Sequence, residues 1–415
     1  MNYPDSVDFL YSLGNEIRTA KLGLERIAAV LGELGEPHRA ARYVHVAGTN
    51  GKGSTCAMIE AGLRAAGRRT GLFTSPHLAE PTERIRVAGQ PVEPEEFAQA
   101  FQRVHAAVEA LLARGAIDLH TTYFETVTAM AFVLFRERGA EDVVLETGLG
   151  GRLDATNVVE PALAAITPVD YDHEAWLGRS LESIAGEKAG ILKPGVPAVF
   201  ARQRPDAGAV LERRAAELGV AVERTCEWEV RDLEIGARGS FFRARGLTLE
   251  CPLAGEHQVE NALTAAVALT RLGVPPEGIA AGIAAARWPG RLERVRERPE
   301  IILDGAHNPA GARALAAYIA RFYAGRKVRL IYGAMRDKAV AEMAGILFPL
   351  ADEVIVTTPR QARAARPETM REVASHPRLG VAPDVAAALA TAREDEAVFV
   401  TGSLFLVAEA RALLV

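Results

Sequence analysis

The string Val46-Ala47-Gly48-Thr49-Asn50-Gly51-Lys52-Gly53-Ser54-Thr55 constrains this chain more than any other feature. It follows a short β-rich run, Tyr43 to Ala47, and opens a helix expected from Lys52 to about Ala66. Strand, glycine loop and helix in that order let backbone N–H groups wrap phosphate oxygens. The helix N-terminus adds partial positive charge, and a lysine at position 52 can reach β- and γ-phosphates. The common form of this loop has Ser or Thr directly after the lysine, whereas here Gly53 intervenes before Ser54. A glycine-rich βα turn with an incidental lysine is the plain alternative. The loop by itself says that phosphate is bound, and leaves the reaction open.

Such a loop has to be built on a sheet. Further strands are expected at Thr70–Phe73, Asp142–Leu145 and Ala162–Thr167, with long helices at 94–114 and 123–138. That alternation implies a parallel sheet covered on both faces. Two short helices precede it, with Val7, Leu10, Tyr11 and then Leu24, Ile27, Leu31 at helical spacing, and 76–94 reads as a polar loop. Short alternating runs between Cys226 and Cys251 suggest antiparallel strands, followed by helices at 258–272 and 276–286. Trp288-Pro289-Gly290-Arg291 then turns the chain and marks a boundary. Beyond it a second α/β pattern starts, with strands at 301–303, 328–332, 353–357 and 397–400. The expected fold is α/β with two domains, 1–290 carrying the phosphate loop and a parallel-rich sheet, and 291–415 a smaller Rossmann-like unit.

Composition narrows the class. With 49% apolar and 24% charged residues the chain can bury a core, which excludes disordered and collagenous classes. No apolar run approaches the ~20 residues that span a bilayer, and Met1–Leu10 carries acids without an apolar stretch, so a cytosolic protein is expected. Net charge is −5, from 48 basic and 53 acidic residues, which argues against nucleic acid as a partner. Cys56, Cys226 and Cys251 form no CxxC pair, so neither a disulfide framework nor a zinc cluster is expected.

Magnesium on a triphosphate needs hard ligands near the phosphate loop, and in a parallel sheet these come from the C-terminal ends of neighbouring strands. Ser75 follows the strand ending at Phe73, Glu146 follows Leu145, and Asp172-His173 stand just past Thr167. Lys188 lies in a helix that ends near a Pro-Gly turn, where a solvated surface lysine is the bland reading. His257 and Asn261 are i, i+4 and share a helix face, as a functional pair or as a cap and a satisfied polar pair.

These motifs together resemble the Mur ligase superfamily and, within it, the folate branch: folylpolyglutamate synthase, often combined with dihydrofolate synthase. The resemblance rests on GTNGKGS from Gly48, Thr74-Ser75-Pro76-His77-Leu78, Glu83-Arg84-Ile85-Arg86, Thr122-Tyr123-Phe124-Glu125 and ETGLGGRLDATN from Glu146 to Asn157. It continues through Asp172-His173, Glu187-Lys188-Ala189-Gly190-Ile191, Trp288 to Arg291 and Asp304-Gly305-Ala306-His307-Asn308-Pro309. It spans nearly the whole chain in order. The resemblance implies that Gly51, Lys52, Gly53 and Ser54 cradle ATP phosphates, with Asn261, Arg291, Asp304 and His307 as further nucleotide contacts. It implies Ser75, Glu146 and His173 as magnesium ligands. Lys188 matches a lysine that is carbamylated in the family and helps hold a metal. Lys52, Glu146, His173 and Lys188 form the implied catalytic set. Leu22, Gly23, Thr122, Tyr123, Phe124, Glu125, Leu153, Asp154 and Ala155 match the pterin-bearing pocket.

The implied reaction transfers the γ-phosphoryl of ATP to the carboxylate of dihydropteroate or a reduced folate. The α-amine of L-glutamate then attacks the acyl phosphate. A folylpolyglutamate synthase alone, a cell-wall precursor ligase and a P-loop switch ATPase are the rivals. The Thr122–Glu125 and LDATN strings speak against the second, and the DGAHNP motif against the third. A monomer is expected. A local basic cleft should collect the anionic substrates, with Lys52, Arg84, Arg152 and Arg291 as candidates to line it.

Overall fold

The computed structural model describes residues 1–13, 23–373 and 375–415. Its first sheet is built from β1 (Arg42–Ala47), β2 (Thr70–Phe73), β3 (Ile85–Val87), β4 (Gln90–Pro91), β5 (Asp142–Glu146), β6 (Leu163–Ile166), β7 (Ala198–Phe200) and β8 (Val222–Arg224). The strand order is β4-β3-β2-β5-β1-β6-β7-β8. All pairs from β2 to β8 are parallel, and β3 and β4 add an antiparallel edge. The central strands are fully buried runs such as Val143-Val144-Leu145, as expected of a sheet with helices on both faces. On one face pack helices Tyr3–Ser12, Glu25–Glu33, Pro94–Ala113 and Tyr123–Glu137, around Leu10, Phe97, Phe101 and Phe132. On the other lie helices Lys52–Ala65 and His257–Arg271, around Met58, Ile59, Leu63 and Leu269. Burying each such side chain contributes about 1.5–3 kcal/mol, enough to outweigh the alanine-rich, weakly specific helix surfaces.

The stretch expected as a polar loop at 76–94 differs. It holds a 3-10 turn at Pro81–Arg84 and the β3–β4 hairpin, with Leu72 opposite Arg86 and Phe73 opposite Ile85. Strands this short carry no readable alternation; they exist because β2 offers an unpaired edge. Between the two α/β units, β9 (Val230–Gly236), β10 (Gly239–Ala244) and β11 (Leu247–Cys251) form an antiparallel sheet. It packs through Phe242 and Leu249 against the same core as helix Pro276–Ala285.

The last sheet contains β12 (Glu293–Glu297), β13 (Glu300–Leu303), β14 (Lys327–Tyr332), β15 (Glu353–Val356), β16 (Leu379–Val381) and β17 (Glu396–Thr401). Its order is β12-β13-β17-β14-β15-β16, parallel except for the antiparallel edge strand β12. This is the smaller α/β unit that the second pattern predicts. Arg329, 2% exposed, is held there between Glu396 at 2.8 Å and Glu353 at 3.0 Å. Among the described residues, no helix is long and apolar enough to cross a membrane.

Candidate active site

The strand order places the C-terminal ends of β2, β5, β1 and β6 side by side; Ser75 follows β2, Glu146 ends β5 and the phosphate loop leaves β1, whereas Lys188 and Asn261 come from helices. The loop 48–51 leaves β1 and enters helix Lys52–Ala65 through Gly51, whose φ of +84° suits glycine. Its neighbours close tightly over it. A side chain at Gly48 would fall 1.9 Å from Thr167 Oγ1, and one at Gly51 2.1 Å from Asn261 Oδ1. Lys52 Nζ donates to the carbonyls of Gly48 and Thr49, both at 3.2 Å, so its ammonium stands over the loop. Ser54 Oγ is buried and accepts from Gln258 Nε2 at 3.3 Å, while Asn261 Nδ2 donates to Gln258 Oε1 at 2.9 Å. Asn261 is thereby oriented toward the loop by Gln258, a residue the sequence did not single out. His257 opens the same helix, and burial together with the Arg291 charge lowers its pKa to about 4.

Glu146 closes β5 and is 4% exposed, and its Oε2 accepts the Ser75 N–H at 3.0 Å. Burial pushes its carboxyl above the ordinary range, against the pull of Lys52, the Ser75 amide and Arg291. Lys188 ends helix Leu181–Lys188, fully enclosed, with Nζ donating to the Gly48 carbonyl at 2.7 Å. Desolvation, and next the Lys52 charge, lower its pKa to about 7, opposed by Asp172 and Asp154. The bland reading of a solvated surface lysine does not hold.

His173 is not brought against Glu146 in any hydrogen bond or ion pair among the described residues; it stands beside Asp172, with Nε2 3.8 Å from Oδ1. Asp172 is where the two α/β units meet. Lys338 Nζ reaches its Oδ1 at 2.6 Å, Asn308 Nδ2 its Oδ2 at 3.1 Å, and His307 Nε2 lies 3.6 Å from Oδ2. Burial works to raise this acid. The nearby His307 imidazole and the Lys338 charge outweigh burial and hold it well below the carboxylate range. Asn308 Nδ2 also donates to Asn50 Oδ1 at 3.0 Å, tying the phosphate loop to the second unit. Lys338 lies in no recognisable pattern; only its position in space reveals it.

Asp304 does not project into the cleft. It is 6% exposed and accepts the N–H groups of Leu292 and Ala306, both at 3.0 Å, so it shapes the turn that carries Arg291 and His307. Beside these groups opens a cavity of about 210 Å³, bordered by Gly53, Ser75, Glu146, Trp288 and Arg291 and by Arg411 from the last helix. The end of the nucleotide loop, a buried acid and the second α/β unit therefore border one cleft, while the depressed lysine is enclosed against the Gly48 carbonyl of the same loop.

The chain is similar in sequence and fold to known proteins. The family described as Mur ligase middle domain matches residues 46–269, and the Mur ligase glutamate ligase domain matches 290–404. The folylpolyglutamate synthase of Lacticaseibacillus casei is 35% identical over 100% of this chain and 99% of its own. The dihydrofolate synthase/folylpolyglutamate synthase of Bacillus subtilis is 36% identical, over 94% of each. The chain belongs to the folylpolyglutamate synthase/dihydrofolate synthase family of Mur ligases. The solved folylpolyglutamate synthase of Mycobacterium tuberculosis, complexed with ADP, superposes with a TM-score of 0.93 at 32% identity, covering 100% of this chain and 99% of that one.

The residues matched to the family's pterin pocket fall into two groups. Leu22 lies outside the described residues, and Gly23 leads into helix Glu25–Glu33. Thr122 and Glu125 form a capping box, with the Thr122 N–H donating to Glu125 Oε2 at 2.8 Å and the Glu125 N–H to Thr122 Oγ1 at 3.2 Å. Arg26 also grips Glu125, Nη2 to Oε2 at 2.9 Å, so that carboxylate is engaged structurally. Asp154 is likewise turned inward, accepting from the N–H groups of Leu149 at 2.8 Å and Thr156 at 3.0 Å; it shapes the loop bearing Leu153 and Ala155. The aromatic rings remain. Tyr123 stacks on Tyr11 at 5.7 Å with Arg84 over its face at 4.9 Å, and Phe124 meets Phe73 at 5.8 Å. Tyr11, placed by the sequence only in a helix core, joins this wall, and its hydroxyl lies 3.2 Å from His77 Nε2. Of the basic cleft candidates, Arg152 is instead paired with Glu187 at 2.8 Å on an exposed surface.

Proposed function

We propose that the protein is an ATP-dependent ligase joining L-glutamate to the carboxylate of dihydropteroate and of reduced folates, as both dihydrofolate synthase and folylpolyglutamate synthase. The observation that carries the reading is the grouping around the phosphate loop: Glu146 and Arg291 border the cavity beside Gly53, Lys188 is enclosed on the Gly48 carbonyl, and Asn308 ties Asn50 to Asp172. We divide the chain at 1–290 and 291–415, with ATP between the two parts. Because both sides of the cleft come from one chain, we expect a monomer, working in the cytosol.

In this reading the loop N–H groups from Gly51 to Ser54 hold the β- and γ-phosphates, and Lys52 stabilises charge on the transferring group. Asn261 and Arg291 contact the nucleotide from the flanks, while Asp304 and His307 bring the second unit onto it. The pterin lies against Tyr123, Phe124, Leu153 and Ala155, positioned by Thr122, Glu125 and Asp154 from behind. A carboxylate oxygen of the acceptor attacks the γ-phosphorus and ADP leaves. The α-amine of glutamate then adds to the acyl phosphate, and phosphate departs from the tetrahedral intermediate. The acyl phosphate must be kept from water until the amine adds, which is the task of the contacts at Asp172 and Asn50.

Ser75, Glu146 and His173 would hold magnesium. The donor set suits it: a hydroxyl and a buried carboxyl that burial alone disfavours as an anion, so that a nearby cation offsets the cost. Magnesium bound there supplies charge neutralisation for the phosphates. Lys188, with a pKa lowered to about 7, holds a neutral amine available to CO2, forming a carbamate with release of a proton. The resulting anion would face the same cleft.

Phosphate release with ATP and glutamate, comparing dihydropteroate with tetrahydrofolate as acceptor, tests the reading. Release with both acceptors is expected. Release with dihydropteroate alone removes the polyglutamate activity, and release with tetrahydrofolate alone leaves a folylpolyglutamate synthase only. Hydrolysis that ignores glutamate points to a switch ATPase.

A further inference from the structure

Away from the cleft, two histidines and a glutamate converge where the ligase reaction uses none of them. His105 and Glu109 lie four residues apart on helix Pro94–Ala113 and so share a face. His120 comes from the loop that leads into Thr122. One nitrogen of each ring and one carboxylate oxygen of Glu109 all lie within 4.8 Å of one another.

The hydrogen bonds around His120 define what the cluster offers. Its Nδ1 is 2.9 Å from the carbonyl of Thr121, which can only accept, and 3.3 Å from the Thr121 hydroxyl; the shorter contact favours the tautomer with the proton on Nδ1. In the neutral ring Nε2 is then the lone-pair nitrogen, and it is buried without a hydrogen-bond partner. His105 Nδ1 is buried and unpartnered as well. A buried polar atom left unsatisfied costs about 1–3 kcal/mol, and each of the two rings in the cluster carries one. An imidazole oriented by a backbone carbonyl through its far nitrogen is the arrangement that metal-binding histidines adopt. The rings sit in an aromatic frame: Phe101 is stacked on His105 at 5.5 Å, and Phe9 lies 4.7 Å from His105 and 5.6 Å from His120. Glu109 is exposed, which leaves an entry path from solvent.

We propose that His105, Glu109 and His120 form a binding site for a divalent transition-metal ion of the zinc class, with solvent completing the coordination. Two imidazoles and one carboxylate match zinc, whereas magnesium favours sites in which oxygen donors predominate. The ion would clamp the loop ending at His120 to helix Pro94–Ala113. That loop delivers Thr122, whose capping box starts the helix bearing Tyr123 and Phe124. The site is thus placed to stiffen the pterin-side wall while touching neither nucleotide nor acceptor. Packing of the two histidines as aromatic core residues is the competing account, and it predicts no metal affinity.

The full chain, stripped by a chelator, is titrated with zinc against a chromogenic zinc indicator in excess magnesium. One equivalent of zinc retained in competition with the indicator is expected. Glu109→Gln, at an exposed position that does not threaten the fold, should weaken retention by about tenfold, and His120→Gln by about a hundredfold. Cobalt should bind the wild type with a visible d–d band that His120→Gln abolishes. Failure of the wild type to retain zinc overturns the proposal. So does unchanged zinc affinity in either variant, since the zinc would then sit on other donors.

Discussion

Lys188 and Glu146 face the same loop with opposite problems. Each is buried, and each is pushed toward its neutral form: the lysine down to about 7, the acid above its usual range. For Lys188 this has a consequence for stability. Below about pH 7 the lysine is protonated in both folded and unfolded chains. Between that pH and the ordinary 10.5 the unfolded chain holds a proton that the folded chain lacks, so unfolding free energy rises with pH. In CO2-free buffer, urea unfolding at pH 7 and pH 9 should show a rise of up to about 1.4 kcal/mol per pH unit that Lys188→Met removes. Equal slopes in the two proteins would contradict the buried amine. Glu146→Ala acts on chemistry instead. Its kcat/KM for ATP-dependent amide synthesis should drop at least about a hundredfold, the scale of losing one preorganised charge-stabilising group. Wild-type rates for that variant at limiting magnesium would sink the metal assignment.

At the scale of elements, two helices cross with their backbones in contact. A side chain at Gly282, in helix Pro276–Ala285, would lie 2.2 Å from the Cα of Gly62 in helix Lys52–Ala65, the helix that the phosphate loop opens. Neither backbone can yield cheaply, so Gly282→Ala should cost about 1–3 kcal/mol. Differential scanning calorimetry should record roughly 2–4 °C lost per kcal/mol. Gly345→Ala is the control, because nothing lies within 4 Å of a side chain there and helix Val340–Leu347 gains a better helix former. Equal melting shifts in the two variants would refute the crossing argument. Long elements were legible beforehand: the buried run of β5 and the periodicity of helices 94–113 and 123–137 carry their own signal. β3, β4, β7, β8, β12 and β16 were not. Each lies toward the margins of its sheet, and β12, though as long as β5, is partly exposed; there pairing with an available neighbour, rather than local pattern, decides the conformation.

Across the whole molecule, Asp172 is the joint. Its contacts with Lys338, His307 and Asn308 hold the second α/β unit over the phosphate loop, and Lys338 is only 11% exposed there. Removing one partner leaves a buried carboxylate short of compensation. Lys338→Met should therefore favour the open arrangement, with kcat reduced about tenfold or more and a larger radius of gyration by solution scattering with ATP present. A variant as compact and as fast as the wild type would show that the pair does not hold the units together. The sequence by itself determined the kinds of element, the existence of a phosphate loop and the order of the motifs, because glycine placement, apolar periodicity and chain order are local properties. Only the tertiary structure decided which polar groups are free and which are spent. Glu125 and Asp154 look like substrate contacts in the string, yet Arg26 and loop amides already hold them. Lys188 looks like a surface lysine, yet it is enclosed on Gly48. Burial and pairing depend on residues far apart in the chain, and those distances come into being only when the sheets assemble.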